Sequence, residues 1–133
     1  MLGGRALILG AALAVALGAA AARAQPVDTV VGHKSAAGKH AQAIAFGKTV
    51  RVSKFAVHVT AKPNQRVTGY WGYHCTLGVT IGDRDADDFA RKTPFTVPMR
   101  TPRMGNTSYS CDLVGGAKLT RRGRVTVELI ARS

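Results

Sequence analysis

The chain has 133 residues, with 19 Lys and Arg against 7 Asp and Glu, a formal net charge of +12 at pH 7 and two cysteines. This length bounds the answer to one domain, and two cysteines cannot by themselves supply a zinc site. A charge this high in so small a chain bears on attraction to anionic surfaces and not on fold.

The N-terminus reads as an export signal. Met1 to Arg5 is a short basic start, residues 6–22 form an Ala/Leu-rich run, and Ala22-Arg23-Ala24 makes a small-x-small cleavage pattern before Gln25-Pro26. Residues 1–24 are therefore expected to be removed as a signal peptide, which takes the formal charge from +12 to +10. No cysteine follows the cleavage pattern and no twin arginine precedes the run. No later apolar run approaches a membrane span, so no transmembrane segment is expected in the mature chain. The product is expected in a bacterial periplasm or outside the cell. In such an oxidising compartment Cys75 and Cys111 are expected to pair, a link worth about 3–4 kcal/mol in the chain-entropy account.

After the signal, residues 25–40 hold little that could build a core beyond Val27, Val30 and Val31, and are expected to be a flexible segment preceding one β domain at 41–133. Residues 40–46 fit either a short Ala-rich helix capped by Ser35 and ended by Gly47, or a first strand from 42 to 46; the strand is preferred. Residues 50–61 alternate with a slip. Val50 and Val52 share one parity and Phe55, Val57 and Val59 the other, as in a bulge or a strand bending between sheets. Pro63 and Asn64 then predict a turn, and with it a hairpin into the next strand.

Residues 70–82, YWGYHCTLGVTIG, carry the clearest pattern of the chain. Trp71, Tyr73, Cys75, Leu77, Val79 and Ile81 occupy odd positions and Gly72, His74, Thr76, Gly78 and Thr80 even ones, which predicts a strand with one buried and one wet face. Residues 82–88 read as an acidic loop and 89–92 as one helical turn with aspartates at its positive end. Phe95, Val97 and Met99 alternate between Pro94 and Pro98, as in an edge strand, and 100–106 reads as a turn. Tyr109, Cys111 and Leu113 predict another strand, with Gly115-Gly116 as its breaker. Residues 118–124 read as a basic hairpin loop before a last strand that points Val125, Val127, Leu129 and Ala131 inward. The predicted class is all-β: a small antiparallel β-sandwich or barrel with one disulfide.

The spacing Tyr109-x-Cys111, with a second cysteine in an opposed strand, resembles immunoglobulin-like sandwiches in that respect alone. Trp71 precedes Cys75 instead of following it, and the 36-residue interval between the cysteines is short, so no family is assigned. The resemblance implies only an inward-facing disulfide that ties two sheets together.

Three groups of residues are candidates for function. Lys118, Arg121, Arg122 and Arg124, with Arg100 and Arg103, are candidates for binding an anionic polymer, lipid head groups or an acidic protein. No aromatic residue lies among the arginines after Leu113, so sequence-specific recognition of nucleic acid is not expected. His58 and His74 would face each other if 50–61 and 70–82 paired about residue 66, and would then offer two ligands to copper or zinc. Asp83, Asp85 and Asp87 imitate the first positions of a calcium loop, but Asp88 and Pro94 stand where that loop needs glycine and glutamate. Catalytic signatures such as G-x-S-x-G and H-E-x-x-H are absent. The expectation is a non-catalytic exported domain that binds an anionic envelope component or an acidic protein surface, with a periplasmic metal-binding protein or a structural subunit as alternatives.

Overall fold

A computed structural model describes residues 27–50, 54–78, 80–100 and 110–132. The expected signal peptide, the turn at 100–106 beyond Arg100, Arg103 and Tyr109 lie outside the described residues. The chain is all-β. Its strands are β1 (Asp28–Gly38), β2 (Gln42–Val50), β3 (Lys54–Lys62), β4 (Arg66–Leu77), β5 (Thr80–Lys92), β6 (Phe95–Pro98), β7 (Ser110–Leu119) and β8 (Gly123–Arg132). They form two antiparallel sheets in the orders β1-β8-β3-β6 and β2-β7-β4-β5.

Period-two alternation explains both the strands and the way the sheets meet. Phe55, Val57, Val59 and Ala61 of β3 and Val125, Val127, Leu129 and Ala131 of β8 are buried from one sheet. Ala43, Ala45, Val67, Trp71, Tyr73, Cys75, Leu113 and Leu119 are buried from the other. Their apolar area, withdrawn from water between the sheets, is the main favourable term in folding. Aromatic contacts bridge the layers: the rings of Phe55 and Tyr73 lie 5.6 Å apart, and Phe89 of β5 meets Phe95 of β6 edge to face at 5.2 Å.

Among the described strands, only β4 and β5 make a hairpin of sequential neighbours within one sheet. Every other connection crosses between sheets, which corrects several sequence expectations. Residues 54–62 and 66–77 do not pair as a hairpin; they face each other across the core, so the shared apolar parity reflects opposed layers and not adjacent strands. The parity slip before Phe55 has the same origin, since Val50 ends β2 in one sheet and Lys54 begins β3 in the other. The segment expected to be flexible supplies β1, which pairs with β8 from Asp28 to Gly38. Residues 42–46 are strand, as preferred, within a β2 that runs on to Val50, and β6 is the expected edge strand.

The disulfide is present but joins neighbours within one sheet. Cys75 and Cys111 are directly opposed in β4 and β7, with Cα atoms 4.0 Å apart. Gly115 and Gly116 do not break β7; they are places where it is approached closely. A Cβ on Gly115 would stand 2.8 Å from a Leu129 methyl of the opposite sheet, and one on Gly116 2.8 Å from the ring of Tyr70.

Residues 82–92, expected as a loop and a helical turn, belong to β5. Their aspartates are poor strand formers, yet β5 pairs with β4 along its whole length and its side chains serve its own backbone. The Asp83, Asp85 and Asp87 carboxylates accept the amides of Arg84, Ala86 and Asp88 at 2.9, 2.9 and 2.8 Å. β5 is a sheet edge, and these bonds occupy donors that an added strand would need.

Four connections, β1–β2, β3–β4, β5–β6 and β7–β8, gather at one end of the sandwich, and Gln65 joins three of them. Its side chain is buried, donates from Nε2 to the Pro63 carbonyl at 3.3 Å and accepts through Oε1 from Thr120 Oγ1 at 3.4 Å and the Arg121 amide at 2.8 Å. Its backbone amide donates to Thr93 Oγ1, and its carbonyl accepts from the Thr93 amide. Gln65→Ala leaves the Arg121 amide without its acceptor and a void beside it. We expect a loss of about 2–4 kcal/mol, read as a lower denaturant midpoint.

Candidate anion-binding end and sheet face

The four gathered turns are where most of the positive charge collects. The β1–β2 turn carries Lys39 and His40, in which Gly38 at φ 137° and His40 at φ 55° reverse the chain. The β3–β4 turn is flanked by Lys62 and Arg66, the β5–β6 turn is preceded by Arg91 and Lys92, and the β7–β8 turn is framed by Lys118, Arg121, Arg122 and Arg124. Pairing then sets like charges against each other. Lys62 is directly opposite Arg124, and Arg66 directly opposite Lys92. Directly opposed like charges destabilise a sheet.

Carboxylates do not offset them. Among the described residues the ion pairs are Lys48 with Asp112 at 3.7 Å, Arg100 with Asp85 at 3.0 Å and Arg132 with Asp28 at 2.7 Å, all away from this end. Arg132 makes two bonds to Asp28, and that hydrogen bonding, together with the arginine's charge, holds the Asp28 carboxyl below its ordinary value. Arg91 is placed by its guanidinium, 5.2 Å from the centre of the Phe95 ring.

Of the six basic residues expected to act together, Lys118, Arg121, Arg122 and Arg124 are brought together, though Lys118 and Arg124 stand in strands of different sheets and the loop is a crossover, not a hairpin. Arg100 lies elsewhere, against Asp85. Sequence reasoning missed Lys39, Lys62, Arg66, Arg91 and Lys92. Each sits beside a predicted turn, which was the available signal, but their shared end depends on connectivity.

The histidines do not meet. His58 is on the outer face of its sheet, directly opposite Glu128 and Thr96, and its Nδ1 is 2.8 Å from Thr96 Oγ1. His74 is in the other sheet, opposite Asp112 and Arg84. Asp83, Asp85 and Asp87 are engaged by backbone amides, and Asp83 Oδ2 also accepts the Tyr73 hydroxyl at 3.1 Å. Among the described residues no three His, Cys, Asp or Glu side chains converge on a point that a metal ion could occupy.

The outer face of β2-β7-β4-β5 holds a second feature. Cross-strand register sets Phe46, Val114, Gly72 and Ala86 in one row and Lys48, Asp112, His74 and Arg84 in the next. All of these except Lys48 line a groove of about 590 Å³. Phe46 is 73% exposed, unusual for so large an apolar side chain. On the other side of the small-residue row, Tyr70 lies over Gly116 and borders a second hollow that runs to Gln42, Thr68 and Lys118, beside the basic end.

Together these features define a two-sheet sandwich with one cationic end and one grooved outer face. No family model and no curated protein matches the chain. Among solved structures it is similar to a carbohydrate-binding module, TmCBM61, in complex with β-1,4-galactotriose, at 4% identity and TM-score 0.45, covering 81% of this chain and 69% of that one. It is also similar to a family 11 carbohydrate-binding module of a cellulosomal cellulase of Clostridium thermocellum, at 9% identity and TM-score 0.34, covering 80% and 81%. A third is a xylanase of Cellvibrio japonicus in complex with xylopentaose, at 14% identity and TM-score 0.40, covering 82% of this chain but only 28% of the enzyme. No helix among the described residues is long and apolar enough to cross a membrane.

Tyr73 offers a titration that reports on the Asp83 contact. Burial, and then the hydrogen bond to Asp83, push its phenol from the ordinary 10.0 up to about 12. The folded state therefore holds this proton more tightly than the unfolded chain. The stability this gives is complete below about pH 10 and lost as pH rises toward 12. We expect Tyr73→Phe to flatten the alkaline fall in unfolding free energy across that window, measured by denaturant titration.

Proposed function

We propose that this chain is an exported, non-catalytic binding domain that holds an anionic polymer at the basic end of its sandwich. One observation carries this reading: nine lysines and arginines from four turns converge there, two pairs of them directly opposed, with no ion pair to any of the nine among the described residues. Folding alone has no use for that repulsion. A bound polyanion relieves it, because each phosphate, sulfate or carboxylate neutralises cations that otherwise repel one another. Cations spread over four turns suit a ligand with repeated charges better than one small anion, which would engage two or three of them.

The turn backbone gives the site its order. Gln65 holds the Arg121 amide, and hence the start of the Arg121-Arg122 pair, so these side chains extend from a fixed base. A polymer held mainly by charge releases counterions on neutralising several cations, so its affinity falls steeply with salt. The double variant Arg121→Glu, Arg122→Glu should bind alginate and long-chain polyphosphate at least about tenfold more weakly, with the slope of log affinity against log salt shallower by about 2. Titration calorimetry across about 50–200 mM salt measures both. Unchanged affinity and slope would sink the proposal.

A further inference from the structure

We infer that the polymer is an acidic polysaccharide, read by its sugar rings on the outer face of β2-β7-β4-β5 while its charges are held at the basic end. This rests on the anion-binding reading above and adds a second surface to it. The two surfaces are continuous: Lys118 belongs both to the basic end and to the row Gln42, Lys118, Thr68 that borders the hollow beside Tyr70.

The chemistry of the face selects sugars. A pyranose has apolar C–H faces and hydroxyls around its rim, so it needs an apolar floor flanked by both donors and acceptors. Here the floor is Gly72, Ala86 and Val114, with the aromatic rings of Phe46 and Tyr70 at its sides. Donors and acceptors of both signs stand along it, with Asp112, His74 and Arg84 in the adjacent row. The Asp112 carboxylate, and Asp88 beside Tyr70, accept from ring hydroxyls, which a polyphosphate chain or a DNA backbone does not offer. That disfavours DNA and polyphosphate on this face.

Gly72 shows that the clear floor is not demanded by packing. A Cβ there would meet Ala86, the Asp85 carbonyl and Val114 at 3.5 Å, ordinary contact distances, so the fold would accept a side chain that this sequence leaves out. By contrast, a Cβ on Gly116 would collide with Tyr70, so that glycine seats the ring.

The test compares three acidic polysaccharides of different backbone, alginate, polygalacturonate and heparin, with polyphosphate and oligo-dT of matched charge, by calorimetry on the full chain. Wild type should bind at least one polysaccharide about tenfold more tightly than polyphosphate or oligo-dT. Tyr70→Ala and, separately, Gly72→Leu should bring that ratio close to one while leaving polyphosphate affinity unchanged. Thermal midpoints check that both variants fold. The Arg121→Glu, Arg122→Glu variant should weaken every ligand and preserve the ratio. A wild-type ratio near one, tighter binding of oligo-dT, or a ratio untouched by both face variants overturns this inference and leaves the anion-binding reading standing. Binding that ignores the arginine reversals, or no binding of any polyanion, overturns that reading as well.

Discussion

The arrangement of this molecule depends on a buried amide. Gln65 lies where three connections come together, and its side chain and backbone supply the hydrogen bonds that hold them. The same end carries lysines and arginines that repel across β3–β8 and β4–β5. Turns bearing like charges separate unless something fixes their backbones, and charge alone supplies nothing of the kind. A buried amide with donor and acceptor both satisfied does, because breaking any one bond strands a polar group away from water. The basic end is thus a cationic surface held by neutral hydrogen bonds, which keep their strength when salt screens the charges.

The β5 edge of the β2-β7-β4-β5 sheet is managed in a different way. β5 is acidic, and three of its carboxylates turn back onto the next amide along the strand. These bonds use side chains of low strand propensity to occupy edge donors. One of the three also accepts from Tyr73, so the acidic strand is tied to the aromatic layer of the core. The aspartates of β5 thus serve its own edge, and the ion pairs among the described residues, Lys48–Asp112, Arg100–Asp85 and Arg132–Asp28, leave the cations of the basic end without a carboxylate partner.

Much of the candidate site could be foreseen in kind and little of it in membership. Arg121, Arg122 and their neighbours stand out because four cations crowd into seven residues of sequence. Lys39, Lys62, Arg66, Arg91 and Lys92 do not, since each is an ordinary cation beside its own turn. Phe46 by its sequence position fits a short helix or a strand, and only the register that sets it on a wet face gives it a second meaning. His58 and His74 show the reverse error. Period-two alternation says which face a side chain takes within its strand, and it is silent about which strand lies alongside.

Sequence pattern alone was enough for the all-β class, the inward sides of β3 and β8, of Trp71 to Cys75 and of Cys111 to Leu113, the pairing of the two cysteines and the excess of positive charge. All of these follow from composition, parity or cysteine number, which are local or countable. The single strand expected over 70–82 instead ends at an exposed Leu77, turns at Gly78 and resumes as β5 at Thr80. The packed fold decided that successive strands other than β4 and β5 cross between sheets and that Cys75 meets Cys111 within one sheet, not between two. It also decided that an aspartate-rich stretch is a strand and that four remote turns form one cationic end. The physical reason is that inward-facing apolar side chains are satisfied equally by a neighbour in the same sheet and by a partner in the facing sheet. The choice between them is made by the packing of the whole core.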